Sequence, residues 1–139
     1  MQKASDLQYG MFSEDRVEPM INQFFCENVL NTKLTRGKYC PYDYESADMK
    51  TRYELKSRKI NHNQFPTILI SHRKIIKGSS NGCDLVLLFL FLDGLYFIRY
   101  EPMLFSNFDI GDFVRYRDGK GEKDTVIHIP IKHLTKINL

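Results

Sequence analysis

Two carboxylates and an amine stand at a spacing that can serve a metal ion and a phosphate. Asp43 lies between Tyr42 and Tyr44, and Glu54-Leu55-Lys56 follows Tyr53 and runs on into Ser57-Arg58. Both stretches alternate with a period of two, as half-buried strands do. The polar residues from Ser46 to Lys50 between them read as a hairpin loop. A turn centred between Asp48 and Met49 would set Asp43 opposite Glu54, with Cβ atoms roughly 5 Å apart. Lys56, two positions beyond Glu54, shares its face, while Tyr42, Tyr44, Tyr53 and Leu55 form an apolar row on the other.

Two close carboxylates repel each other, and burial raises their pKa values further. A divalent cation removes that penalty, and hard oxygen donors suit Mg2+ or Mn2+, with the backbone carbonyl of Leu55 as a further ligand. Such a cation makes water easier to deprotonate, and Lys56 can orient the attacking water or offset charge on a phosphate. Beside a basic surface, this is the chemistry of phosphodiester hydrolysis. The same three residues on an exposed strand would be an ordinary row of ion pairs, worth little in stability. Asp48-Met49-Lys50 and Asp118-Gly119-Lys120 repeat the acid-x-Lys spacing, but both fall in expected turns.

The elements that must position these residues follow from periodicity. Ser13 reads as an N-cap with acids behind it, and Val17, Met20, Ile21, Phe24 and Phe25 recur at helical steps. An amphipathic helix is expected over 14–29, ending at Asn31. A weak strand is expected over 34–39. Thr67 to Ile70 is either a short buried strand or the start of a helix through Ile76, before a break at Gly78 to Gly82. Asp84 to Leu92 is apolar enough for a central strand buried on both faces, and Asp93-Gly94 turns it into Leu95 to Tyr100. A loop-rich region follows, expected to tuck Phe105, Phe108 and Phe113 against the core. Asp118 to Gly121 is an exposed turn, and Val126 to Ile129 a last strand. Helix, strand meander and buried strand together predict a mixed α/β fold.

The chain has 139 residues, 42% of them hydrophobic, which predicts one packed domain and excludes a disordered one. The net charge of +3 is uneven: residues 33–77 carry eleven basic and four acidic side chains. That block suits phosphate, or is simply a solvated band. Three cysteines without a CxxC pair argue against a disulfide framework or a thiolate zinc site. No apolar run approaches the roughly 20 residues of a membrane span. A soluble intracellular protein with no membrane partner is expected.

Asp43 followed by Glu54-Leu55-Lys56 resembles the signature of the PD-(D/E)XK, or restriction endonuclease-like, nuclease superfamily. The resemblance covers about residues 10–100 and leaves 101–139 as a C-terminal extension with an extra strand region. It implies an α-β-β-β-α-β core with a mixed central sheet, like that of restriction enzymes, repair nucleases and Holliday-junction resolvases. By that likeness Asp43 and Glu54 bind Mg2+ or Mn2+ and Lys56 is the catalytic lysine. Gly10-Met11-Phe12-Ser13-Glu14 is similar to the Gly-x-x-x-Glu opening of resolvase-like members, which gives Glu14 a place in the metal shell, with Glu18 next in line. As a helix N-terminal acid, Glu14 serves the macrodipole equally well. The family proline corresponds to Pro41, one residue out of place. The helix after Glu-x-Lys sometimes carries another functional side chain, for which Gln64, Lys74 and Lys77 are candidates. The Asp93-Gly94-Leu95-Tyr96 turn and the late Phe-rich stretch resemble small nucleases of large DNA viruses.

The leading expectation is a metal-dependent DNA endonuclease acting on duplex or branched DNA, with Arg58, Lys59, Arg73, Lys74 and Lys77 on the phosphate backbone. A homodimer is a candidate assembly, since two strands often need two sites. Two other classes stay open: a nucleic-acid-binding module that does not cut, and a protein-interaction domain presenting Phe105, Phe108 and Phe113. His62, His72, His128 and His133 are scattered and form no zinc motif.

Overall fold

The computed structural model describes residues 14–117 and 119–139, with side chains omitted at 14 and 115–117. Asp118, expected in a turn, lies outside the described residues, while Gly119 beside it has the positive φ of 75° that a tight reversal needs. Helix α1 spans Glu14–Phe25 and ends earlier than periodicity predicts. Its stop is Cys26, in the left-handed region at φ 54°, with the Glu27 N–H returning to the Asn22 carbonyl at 3.0 Å. The Asn22 side chain then accepts the Val29 N–H at 2.8 Å. Strand β1 (Leu30–Asn31) follows. The strand expected over 34–39 is absent. In its place α2 (Thr32–Thr35) forms a single turn, because the Asn31 side chain accepts the Leu34 N–H at 3.2 Å.

Strand β2 (Tyr44–Glu45) and β3 (Thr51–Ser57) make the hairpin. They pair Tyr44 with Tyr53 and Glu45 with Arg52, the register that the polar loop predicts. β4 (Thr67–Ser71) runs directly into α3 (His72–Gly78), so the ambiguous segment is a strand and then a helix. β5 (Asp84–Phe91) and β6 (Gly94–Arg99) form the next hairpin. The short helix α4 (Pro102–Phe105) leads into β7 (Asp109–Arg117) and β8 (Lys120–Pro130), and β9 (Thr135–Lys136) closes the chain.

The fold is mixed α and β. Six strands form one sheet in the order β1-β2-β3-β5-β6-β9, in which β3 and β5 are parallel and the other neighbours antiparallel. Along the chain, α1, β1, β2, β3, α3 and β5 follow the expected α-β-β-β-α-β order, with α2 and β4 interposed. β4 does not join that sheet: it pairs with β8 in a second sheet, β4-β8-β7. The expected loop after Tyr100 is thus largely a long hairpin, and the short last strand is the end of an 11-residue one.

β5 is buried on both faces, as its composition predicts. Leu85, Leu87, Phe89 and Phe91 pack with Ile68, Ile70, Ile127 and Ile129 of the second sheet and with Ile75 of α3. Val86, Leu88 and Leu90 pack with Val17 and Ile21 of α1 and with Tyr44 and Tyr53. The central sheet is therefore sandwiched between α1 and a layer made of α3 and the small sheet. Residues after Tyr100 are woven into this core: Phe105 and Phe108 are buried in it, while Phe113 is exposed. The first two are not available to a partner. No helix among the described residues is long and apolar enough to cross a membrane.

One cation locks α3 to the hairpin. Arg52 Nη1 donates to the carbonyls of Lys77, Gly78 and Ser80, each at 3.2 Å, and to Ser80 Oγ at 2.8 Å. It lies where the unsatisfied carbonyls and negative end of the helix want a charge. The end of α3 also packs closely on β5, since a Cβ on Gly78 would stand 2.7 Å from Leu85 Cδ1. Arg52→Ala is expected to lower stability by about 1–2 kcal/mol, read as a shift of the urea midpoint at constant m-value. Arg52→Lys should recover part of it, because an ammonium keeps the charge at the helix end but lacks the planar guanidinium that lies over the Tyr42 ring.

Candidate active site

The hairpin ladder breaks at Asp43. Its N–H goes to the Tyr53 carbonyl at 2.9 Å, and its Oδ2 accepts the Leu55 N–H at 2.8 Å. The carboxylate thus occupies the position on β3 that another strand residue would have used. In an extended strand the N–H and C=O of one residue point the same way. The Leu55 carbonyl is therefore directed to the side that β2 has left, beside Asp43. The break also takes Tyr42 out of the expected apolar row: its ring lies under the Arg52 guanidinium, 4.5 Å from centroid to Cζ. Tyr44 and Tyr53 keep their places in the core against α1.

Glu54 points away from α1, towards α3, and is 4% exposed. Its Oε1 meets Lys74 Nζ at 3.4 Å, while Oε2 is buried without a hydrogen-bond partner. Burial first, and then the charge of Asp43, push its carboxyl up from 4.5 to about 7, against the pull of Lys74 and Lys56. Asp43, Lys56 and Lys74 thus all act electrostatically on Glu54. Lys74 was expected as a phosphate contact and, with Gln64 and Lys77, as a candidate for a further functional side chain after Glu-x-Lys. Its position one turn into α3 makes it the partner of Glu54 as well, a role the spacing in sequence does not reveal.

Glu14 begins α1, and its side chain lies outside the described residues. Glu18 is on the same helix, which covers the Tyr53 face of the sheet rather than the Glu54 face, and it is not among the charges that act on Glu54. Among the described residues no group of three or more His, Cys, Asp and Glu side chains gathers to hold a metal. Two carboxylates and one carbonyl nevertheless fit a cation that keeps several waters and takes substrate oxygens, as Mg2+ does. The orphaned Oε2 of Glu54 and the all-oxygen donor set are the observations in favour.

Of the expected phosphate contacts, Arg73, Lys74 and Lys77 line one cleft of about 400 Å³. Lys33 of α2 and Lys38 of the loop before β2 join them, and Asp124 is the acid on its wall. Those two lysines were not singled out by motif, although the basic block of residues 33–77 contains them. Lys33 is held by donating to the Cys40 carbonyl. Arg58 lies elsewhere, past the end of β3, with Nη1 on the Ser57 carbonyl at 2.9 Å. Lys59 is exposed beside it. A second buried acid, Glu45, is satisfied by Arg36 Nε at 2.9 Å and takes no part in the site. The cysteines 26, 40 and 83 are all free thiols.

No protein-family model, no curated protein and no solved structure matches the chain.

Proposed function

We propose that this protein is a metal-dependent endonuclease hydrolysing the phosphodiester bonds of DNA. The observation that carries the reading is Glu54, a buried carboxylate with one unpartnered oxygen beside a second carboxylate and two lysines. A structural acid in the same place would be fully hydrogen-bonded. Asp43, Glu54 and the Leu55 carbonyl would hold Mg2+ or Mn2+. That ion would supply Lewis-acid polarisation of the phosphoryl oxygen and a water of lowered pKa. Asp43 is kept in place by the Leu55 N–H and Glu54 by Lys74. Lys56 faces the scissile phosphate and offsets its developing charge or orients the water. The cleft with Lys33, Lys38, Arg73 and Lys77 would draw in the backbone, and Lys74, which lines the same cleft and contacts Glu54, would link it to the site.

The same cleft favours a second reading, a DNA-binding module that does not cut, because cations attract phosphate without any metal. One experiment separates the two. Linear, single-stranded, flapped and four-way DNAs are incubated with the protein, with and without Mn2+. Cleavage that requires the ion and is lost in Lys56→Ala is the expected result. Salt-sensitive binding with no cleavage of any member would leave only the binding module.

A further inference from the structure

Beyond the charged cleft, the small sheet has an outer face that the core does not use. Ile68, Ile70, Ile127 and Ile129 turn inward, so their neighbours Leu69 and His128 turn outward and are paired across β4 and β8, while Val126 on the same side is buried. Over this face lies a cavity of about 670 Å³ lined by Arg58, Ile60, Phe65, Leu69, Phe113 and His128. Phe65 is 53% exposed and Phe113 47% exposed, from a loop on one side and from β7 on the other. Gly111 lets the His128 ring lie close against β7: a Cβ there would stand 2.9 Å from His128 Nε2. A smaller recess of about 90 Å³ shares Arg58, Leu69 and Phe113 with the cavity and is lined also by Lys56. The two spaces therefore run from the lysine of the proposed site, past an arginine, to a pair of exposed rings.

Cations at one end and flat aromatic faces at the other are complementary to a nucleotide rather than to an apolar peptide. Phosphate suits Lys56 and Arg58, and a base with both faces bare suits Phe65 and Phe113. A base paired within a duplex is stacked on its neighbours and presents only its edge. We infer that this cavity receives an unpaired base adjoining the scissile phosphate, so that the substrate is single-stranded, flapped or otherwise locally unpaired DNA. This rests on the endonuclease reading and narrows it to a substrate class. The His128 ring on the floor is within the same cavity and can hydrogen-bond a base edge.

The test uses the full chain without divalent ion, and DNA carrying one 2-aminopurine. In single strands the probe should be quenched on binding, and affinity should exceed that for a blunt duplex of the same sequence. Phe65→Ala with Phe113→Ala should weaken single-strand binding by about tenfold or more, and duplex binding by less than about twofold. Phe65→Trp with Phe113→Trp should restore the single-strand affinity. Both rings are half exposed, so their removal leaves the core intact. Equal losses on both DNAs, or no quenching, would overturn the inference. So would sedimentation showing a dimer that Phe113→Ala dissociates with DNA binding unchanged, which would assign the cavity to a second copy. If Mn2+ supports duplex cleavage and the ring variants are indifferent, the endonuclease reading survives and this one does not. If no DNA is cut but the single-strand contrast holds, the endonuclease reading falls and the cavity is left as a site for an unpaired base in a DNA-binding module.

Discussion

Lys56→Ala, Asp43→Asn and Glu54→Gln are each expected to lower Mn2+-dependent cleavage by at least about a hundredfold, the loss seen when one aimed charge is removed from a reacting centre. The substitutions differ in how they fail. Asp43→Asn keeps an acceptor for the Leu55 N–H, so the strand end should stay folded while the donor set for the cation loses a charge. Raising Mn2+ should therefore recover part of its activity. Lys56→Ala removes no ligand, so its cation dependence should match the wild type at a depressed rate. Lys74→Ala should cost less than Lys56→Ala, because the Lys74 amine is spent on Glu54 Oε1 and acts by positioning that carboxylate. Lys74→Arg should rescue it and Lys56→Arg should not. Measurement of rate against Mn2+ concentration for the six variants checks the assignment. Full activity in Lys56→Ala, Asp43→Asn and Glu54→Gln would remove it.

Which parts of this arrangement the chain announces in advance depends on the range over which each is encoded. The β2–β3 register is local: an unbroken polar loop between two alternating stretches leaves one pairing that buries Tyr44 and Tyr53 together. β5 is equally plain, because seven consecutive apolar residues can only lie between two layers. That Asp43, Glu54 and Lys56 come near one another is legible for the same reason, since all three belong to that hairpin. What failed was what depends on distant partners or on single side chains. β7 and the first half of β8 carry Asp, Gly, Arg, Lys and Glu with little alternation, since their hairpin stands largely in solvent. Their pairing shows only once β4, far earlier in the chain, is laid beside β8. α1 stops at a cysteine in a conformation that usually asks for glycine, and α2 exists because one asparagine caps it. Tyr42 leaves its row because Asp43 exchanges a strand contact for a side-chain one, a substitution that no periodicity records.

Glu54→Gln is expected to stabilise the metal-free protein at pH 8 by about 2–3 kcal/mol and to have no such effect near pH 4. Burial and Asp43 raise the Glu54 carboxyl from 4.5 to about 7, so in the native state it holds a proton that the unfolded chain has already released. Between those two values the native state binds more protons, and stability must fall as pH rises through about 7. Above that window the folded protein carries the full penalty of a buried, incompletely satisfied anion; below 4.5 both states are neutral and the penalty vanishes. Glutamine has the shape without the charge, and Lys74, one-third exposed, can return to water. A cation seated on Glu54 and Asp43 would reverse the sign. Mn2+ should then raise the wild-type urea midpoint at pH 8 and leave Glu54→Gln nearly unmoved. If instead Glu54→Gln destabilises the protein equally at both pH values, Glu54 is a satisfied structural anion, its Lys74 contact is an ordinary ion pair, and the argument for a metal at this position loses its foundation. A buried carboxylate that weakens the fold at the pH where it is ionised is retained most economically when an ion or a substrate uses that charge.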